Sequence, residues 1–269
     1  VTVRLVQLSD IHFGGEDRPA VEAALDWLHQ APPDLTLVTG DLTLNGLPRE
    51  FRAAAAWLKR LPGPRICTPG NHDTPYWNLP LRALSPFARY RFHIGHVRSE
   101  GWMGQGFAAR MINTARGAQP RLDWSKGAIG LRAVETAVAL LDLAPPGSLR
   151  IVGCHHPLVE LEGAPVTGGV HRGPVAAQML AQGGVDLILT GHVHNPFAMP
   201  LPYGDGRTYA VGAGTLSLRT RGAPPSFNQI RIRPDAVEVE VLAWTGRGFE
   251  AGEVWRLPRR PARATASIP

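Results

Sequence analysis

Five short polar motifs, each directly behind a strand-like run, constrain this chain more than any other feature. "SDIHFG" (9–14) follows "VRLVQL", "GDLTLNG" (40–46) follows "LTLVT", and "GNHD" (70–73) follows "RICTP". "CHHP" (154–157) follows "LRIVG", and "GHVH" (191–194) follows "VDLILT". Between the first three runs lie two periodic stretches. "PAVEAALDWLHQ" (19–30) starts on Pro and sets Val21, Ala24, Leu25 and Leu28 on one helical face, and "REFRAAAAWLKRL" (49–61) is Ala-rich. Strand–helix–strand order with connections this long implies parallel strands with helices packed on the sheet. The pattern resumes with helices at 131–143 and 175–182, each leading into a strand, at 149–154 and 185–191. After residue 205 the texture changes to "RTYAVGAG", "FNQIRIRP" and "AVEVEVLAW", short alternating runs that read as a second, more antiparallel sheet. The expectation is a single α/β domain over 1–255 with two sheets, an aromatic and Arg-rich cap-like insertion at 74–126, and a basic Pro-rich tail at 256–269.

The C-terminal ends of parallel strands share one edge of their sheet, and ligands of open α/β sheets bind there. One loop carrying Asp or His is a helix cap or a turn, and "GNHD" alone reads as a turn. Five such loops on one edge make a site. Asp10, His12, Asp41, Asn71, His155, His192 and His194 offer carboxylate, imidazole and amide donors and no thiolate. That mixture suits Mn, Fe or Zn, and seven donors are too many for one ion but right for two. Asp-x-His and His-x-His place alternate side chains on the same side of an extended chain, so each pair reaches the centre together. Two metals about 3.5–4 Å apart can hold the attacking and leaving oxygens of an in-line displacement and bring a bound water to a pKa of about 7.

The ordered set D-x-H, G-D, G-N-H-D, H-H-x-P and G-H-x-H resembles the calcineurin-like metallophosphoesterase superfamily, and within it the bacterial class III cyclic-nucleotide phosphodiesterases. The motifs run from Asp10 to His194. The resemblance implies a four-layer αββα sandwich of two mixed β-sheets flanked by helices. It implies that Asp10, His12 and His194 bind one metal, that Asn71, His155 and His192 bind the other, and that Asp41 bridges them. His72 is then not a ligand but faces the substrate phosphate and helps protonate the leaving oxygen. In "CHHP" the ligand falls to His155, with His156 a second candidate. Many relatives carry an acid three residues after the bridging Asp. Here that position is Leu44, so the group that orients His72 is open, with Asp73 one candidate.

The implied activity is that of a dinuclear metal-dependent phosphoric ester hydrolase. It would cleave a small phosphodiester, such as a cyclic nucleotide, by in-line attack of a metal hydroxide. The alternatives are a pyrophosphohydrolase of a nucleotide-linked lipid (the UDP-diacylglucosamine type), a nuclease, and a non-catalytic metal-binding module. Relatives of the lipid type often carry Arg where this chain has His72, so exposed apolar residues in 74–126 would be needed to revive that reading. The formal charge of +6 admits a nucleic acid partner. Nucleic acid is not favoured, because part of the excess lies in the tail, where Arg256, Arg259, Arg260 and Arg263 sit among prolines. Eight of the nineteen aromatics fall in 74–126, where they either cover a sheet or, with the local arginines, receive substrate. No apolar run is long enough for a transmembrane segment. The first ten residues read as a strand rather than a signal peptide. Cys67 and Cys154 form no metal spacing and no disulfide framework. A cytoplasmic location is the corresponding expectation, with Cys67 and Cys154 as buried thiols. His29, His93, His96 and His171 lack motif context and are expected on the surface or in packing.

Overall fold

A computed structural model describes residues 3–96, 100–120, 123–160 and 169–260. The first half contains β1 (Val3–Leu8), α1 (Arg18–Gln30), β2 (Leu35–Val38), α2 (Pro48–Arg60), β3 (Arg65–Cys67), α3 (Leu79–Leu84), α4 (Ala88–Ile94), β4 (Gly101–Gly104) and β5 (Phe107–Met111). Then come α5 (Leu131–Leu141), β6 (Leu149–Gly153), α6 (Gly173–Gln182), β7 (Leu187–Thr190), β8 (Phe197–Pro200), β9 (Tyr209–Gly212), β10 (Ser226–Ile232), β11 (Ala236–Trp244) and β12 (Phe249–Pro258). The strands form two six-stranded mixed sheets, ordered β12-β11-β10-β1-β2-β3 and β4-β5-β6-β7-β9-β8.

Side-chain alternation builds the four layers. Leu5, Leu35 and Leu37 of the first sheet meet Leu149, Ile151, Leu187 and Leu189 of the second in a core between the sheets. The intervening Val6, Leu8 and Val38 turn outward onto Val21, Leu25 and Leu28 of α1 and Phe51, Ala54 and Leu58 of α2. On the second sheet Val152 and Ile188 turn outward onto Val134 and Ala137 of α5 and Ala176 and Leu180 of α6. Strands buried on both faces explain why these runs are almost continuously apolar.

Three expectations change. The two sheets do not divide the chain at residue 205: β9 pairs in parallel with β7, whereas β10 pairs antiparallel with β1. The five motifs therefore leave the strands of two stacked sheets rather than one. Residues 74–126 are not wholly a cap, because β5 pairs in parallel with β6 and places Phe107 and Ala109 in the inter-sheet core. The tail does not begin at 256. Arg256 lies in β12 and pairs with Asp235 and Glu238, Arg259 donates to Arg233 O and Gly147 O, and Arg260 pairs with Asp186 and Asp205. Much of the terminal positive charge is thus matched by local acids. Arg263 and the rest of 261–269 lie outside the described residues. Among the described residues no helix is long and apolar enough to cross a membrane.

Candidate active site

The loops after β1, β2 and β3 are laced together before any side chain is considered. Asp10 N–H donates to Gly40 O at 3.0 Å, His12 N–H to Asp41 O at 3.0 Å and Phe13 N–H to Leu42 O at 2.8 Å. His72 N–H donates to Asp41 Oδ1 at 2.8 Å. Gly191 N–H, after β7, donates to His155 O at 2.9 Å, which ties the two motifs of the second sheet. His192 N–H donates to Asp10 Oδ2 at 2.9 Å and joins the sheets.

Asp-x-His and His-x-His are not extended, contrary to the alternation argument. Asp10, His12, Asp41, His192 and His194 all have positive φ, between 51° and 69°. Only one other non-glycine among the described residues, Arg172, does so. Left-handed backbone at a residue with a Cβ costs on the order of 1–3 kcal/mol and persists only where the surroundings enforce it. Five of these six positions fall in the loops that carry the predicted donors.

All seven predicted donors are buried and converge. Asp41 Oδ2 lies 3.2 Å from His155 Nε2 and 3.8 Å from His12 Nε2. Asp10 Oδ1 lies 3.1 Å from His194 Nε2 and 3.7 Å from His12 Nε2. His12 Nε2 and His194 Nε2 are 3.3 Å apart, and His155 Nε2 is 3.2 Å from Asn71 Oδ1. His192 packs its ring against that of His155, with centroids 5.2 Å apart.

The outward ring nitrogens are committed elsewhere. Nδ1–H of His12 donates to Thr43 O at 3.2 Å, that of His155 to Thr39 O at 2.8 Å, and that of His194 to Arg219 O at 2.6 Å. A carbonyl only accepts, so in each neutral ring Nε2 carries a lone pair directed inward. The centre is therefore lined by acceptors facing acceptors, and Asp10 Oδ1, though buried, accepts no hydrogen bond. Buried acceptors in this arrangement require a cation, so the residues present fit metal binding. Asp10–His12–His194 and Asp10–Asp41–His155 each bring their donor atoms within 4.8 Å of one another. Without a cation, protons serve the same need. Although burial opposes it, Asp41 pushes His155 up to about 9, while burial holds His12 and His192 down to about 3. A cation bound at His155 would displace that proton.

His156 is assigned differently from His155. Its Nδ1 accepts from Thr114 Oγ1 at 2.9 Å and its Nε2–H donates to Ser125 O at 2.8 Å. Both ring nitrogens are used, so it ties the "CHHP" loop to the segment carrying Ser125.

His72 is half-buried beside the cluster, its ring edge-on to His12 at 4.8 Å. Its Nδ1–H donates to Leu44 O at 2.6 Å. The orienting group is thus the main-chain carbonyl of the residue that stands in for the acid. Asp73 is engaged elsewhere. Its carboxylate accepts from Leu42 N, Thr43 N, Gly70 N and Thr43 Oγ1 and braces the second loop against the third.

The sequence reading missed Arg219, whose Nη1 donates to His72 Nε2 at 2.9 Å, and Arg221, whose Nη1 donates to His192 O at 3.2 Å. The signal that could have found them was "AVGAGTLSLRTRG", a further strand followed by a polar loop. Because β9 is parallel to β7, this loop reaches the same end of the molecule. His29 is exposed and donates to Arg60 O, His93 is half-buried and stacks on Phe51, and His171 is exposed and pairs by its backbone with Ala128, so these three lie on the surface or in packing. Cys67 and Cys154 are buried, and burial pushes the Cys154 thiol up to about 12.

The model of the calcineurin-like phosphoesterase family matches residues 3–196. A probable cyclic nucleotide phosphodiesterase of a Synechococcus strain is 25% identical over 261 residues, covering 91% of this chain and 93% of its own. Among solved structures, purple acid phosphatase PPD1 of yellow lupin superposes with a TM-score of 0.64 at 14% identity, over 96% of this chain and 54% of the lupin chain. The protein TT1561 of Thermus thermophilus superposes with a TM-score of 0.54 at 15% identity, over 94% of this chain and 99% of its own.

Proposed function

The chain belongs to the calcineurin-like phosphoesterase family, and from there we propose that it is a dinuclear metal-dependent phosphodiesterase acting on a small diester such as a cyclic nucleotide. The observation that supports this reading is Asp41 Oδ2, which lies 3.2 Å from His155 Nε2 and 3.8 Å from His12 Nε2, within reach of one histidine from each assigned ligand set. In this assignment Asp10, His12 and His194 hold one ion, Asn71, His155 and His192 hold the other, and Asp41 is shared. Bound ions of the Mn, Fe or Zn type supply Lewis-acid polarisation of the phosphoryl oxygens and a nucleophile at neutral pH. The relative from Synechococcus supports the diesterase class.

The chain's own groups do the remaining work. Arg219 and His72 meet beside the cluster, Nη1 to Nε2 at 2.9 Å, and in this reading both serve the phosphoryl group. The Arg219 guanidinium offers charged donors to oxygens that gain charge as phosphorus becomes five-coordinate. The P–O bond to the organic group breaks, and the departing oxygen takes a proton from Nε2 of a doubly protonated His72, which requires Arg219 to leave Nε2 for the phosphoryl oxygens. Leu44 O keeps the ring oriented through Nδ1–H, and the ring is left neutral.

Turnover of an aryl phosphodiester after loading with Mn²⁺ tests the assignment. A folded protein that binds metal yet is inert with Mn, Fe, Co and Zn overturns it. His72→Ala is expected to lower kcat by about 10²–10⁴-fold. Arg219→Ala is expected to lower it by about 10²–10³-fold. Arg219→Ala should leave metal content intact, because His194 is held by the main-chain carbonyl of Arg219 rather than its side chain. Loss of metal from Arg219→Ala would contradict its placement.

The cation-requiring centre also predicts ligand-linked stability. Metal at about a thousand times its Kd should add about 4 kcal/mol, a rise in Tm on the order of 10 °C for a domain of this size. A chelator should reverse it, and an unchanged melting curve would exclude binding at this site.

A second reading is supported by the exposure of Leu79, Leu84 and Trp77 within 74–126. That is the surface expected of a pyrophosphohydrolase of a nucleotide-linked lipid. Hydrolysis of such a lipid in vesicles in preference to soluble diesters would favour it.

A further inference from the structure

A cleft of about 530 Å³ is lined by Asn71 and His72, beside the donor cluster, and by residues of two further segments of the chain. Tyr76 and Trp77 lie on one segment and Trp124 on the other. We propose that this cleft receives a nucleobase carried by the scissile diester, with Trp77, Tyr76 and Trp124 as its stacking surfaces. The inference rests on the phosphodiesterase reading and names the substrate class of that site.

Three observations carry it. The first is the cost of the rings where they stand. Trp77 is 75% exposed and Tyr76 49% exposed, edge-on to each other at 4.9 Å. Large rings exposed at the rim of a polar site mark a surface that a ligand covers. Every nucleobase has a π-face that stacks on such rings.

The second is that the walls are held in place. Tyr76 N–H donates to Asn45 O at 3.1 Å, next to Leu44, which orients His72. Trp124 Nε1–H donates to Gln119 O at 3.1 Å, and the Arg82 guanidinium lies over its ring at 5.5 Å while Arg82 Nε–H donates to Gly117 O. His156 carries the neighbouring Ser125 on its Nε2–H. The Trp124 ring, anchored this way, needs little ordering when a ligand arrives.

The third is polarity. Asp123 and Ser125, with Ser125 Oγ–H donating to Asp123 Oδ1, share the cleft with the rings. A base presents amine and carbonyl edges to such groups, whereas an acyl chain would only desolvate them. Arg82, engaged with Gly117 O and Trp124, is a buttress, so the phosphate-facing arginine is Arg219 from outside the 74–126 region.

The experiment compares kcat/KM for 3′,5′-cyclic AMP with that for the same cyclic phosphate lacking its base, using the metal-loaded full chain. Stacking on one ring is worth about 5- to 150-fold per base. Trp77→Ala should therefore cut the ratio about tenfold or more, and Trp77→Phe should restore most of it. Phe92→Ala, at a ring 78% exposed but outside the cleft, should leave the ratio as in the wild type. An unchanged ratio in Trp77→Ala, or an equal change in Phe92→Ala, overturns the proposal. So does a Trp77→Ala defect confined to diacyl substrates in vesicles. A second arm measures binding of AMP against ribose 5-phosphate by protein fluorescence. If the wild type hydrolyses no diester, the phosphodiesterase reading fails. A preference for AMP that Trp77→Ala removes then still supports the cleft, and no preference overturns it.

Discussion

Asp41→Asn is expected to lower phosphodiester turnover by about three orders of magnitude or more and to leave the purified protein with less than its full metal complement. Oδ2 of this carboxylate is the atom placed between His12 and His155, and Oδ1 accepts the His72 N–H. An amide keeps the shape but removes the negative charge and turns half of the group into a donor facing acceptors. The loss covers one shared anionic ligand and the several kcal/mol of charge stabilisation a metal pair supplies. The check is metal analysis beside steady-state kinetics. Full metal content with wild-type kcat would remove Asp41 from the shared position. Full metal content with a reduced kcat would restrict it to a role through His72.

Gly70→Ala is expected to be nearly as damaging, although Gly70 touches no substrate. A Cβ there would overlap Asp41 Oδ1 and Cγ and the Asp41 main-chain nitrogen. Neither loop can retreat, because Asp73 pins both through Gly70 N, Leu42 N and Thr43 N. Overpacking of this kind costs about 1–3 kcal/mol, several degrees of Tm for a domain of this size. The displaced Asp41 should also lose metal affinity. The same reasoning applies to Gly191, whose Cβ would overlap Ser9 Oγ and Asp10 Oδ2. The test is a thermal melt of Gly70→Ala with and without Mn²⁺. A variant that gains as much from the metal as the wild type would show that the close approach is not needed.

These glycines show how the motifs work as physical objects. "GNHD" is a turn, and its four residues divide the labour. Gly70 admits Asp41, Asn71 offers Oδ1 beside His155, His72 faces Arg219, and Asp73 binds loops together. Of these, only the donor role of Asn71 and a non-ligand role for His72 were expected from the chain; the approach of Gly70 to Asp41, Arg219 beside His72 and the bracing by Asp73 were not, since each depends on a distant segment. The partner of His72 proved to be the Leu44 carbonyl. A main-chain acceptor exists at every position, so no residue type announces it.

Residue order alone picked out seven donor-type side chains that the folded chain buries close together, and the strands that deliver them. Residue chemistry is a local property, and the end of a buried strand is marked by the abrupt change from apolar to polar residues. Strand–helix alternation implied helices packed on a parallel sheet, and the family resemblance implied the four layers. Pairing was settled by the folded chain alone: which sheet each strand joins, that β9 lies parallel to β7 and brings Arg219 to His72, and that β5 belongs to the second sheet. The same holds for His156, which spends both ring nitrogens on Thr114 and Ser125, and for the aromatics, since Tyr76, Trp77 and Trp124 line a cleft while Tyr90 and Phe107 are buried in the cores. One cause underlies all of these. An apolar period records that a side chain is buried, and not which distant segment buries it.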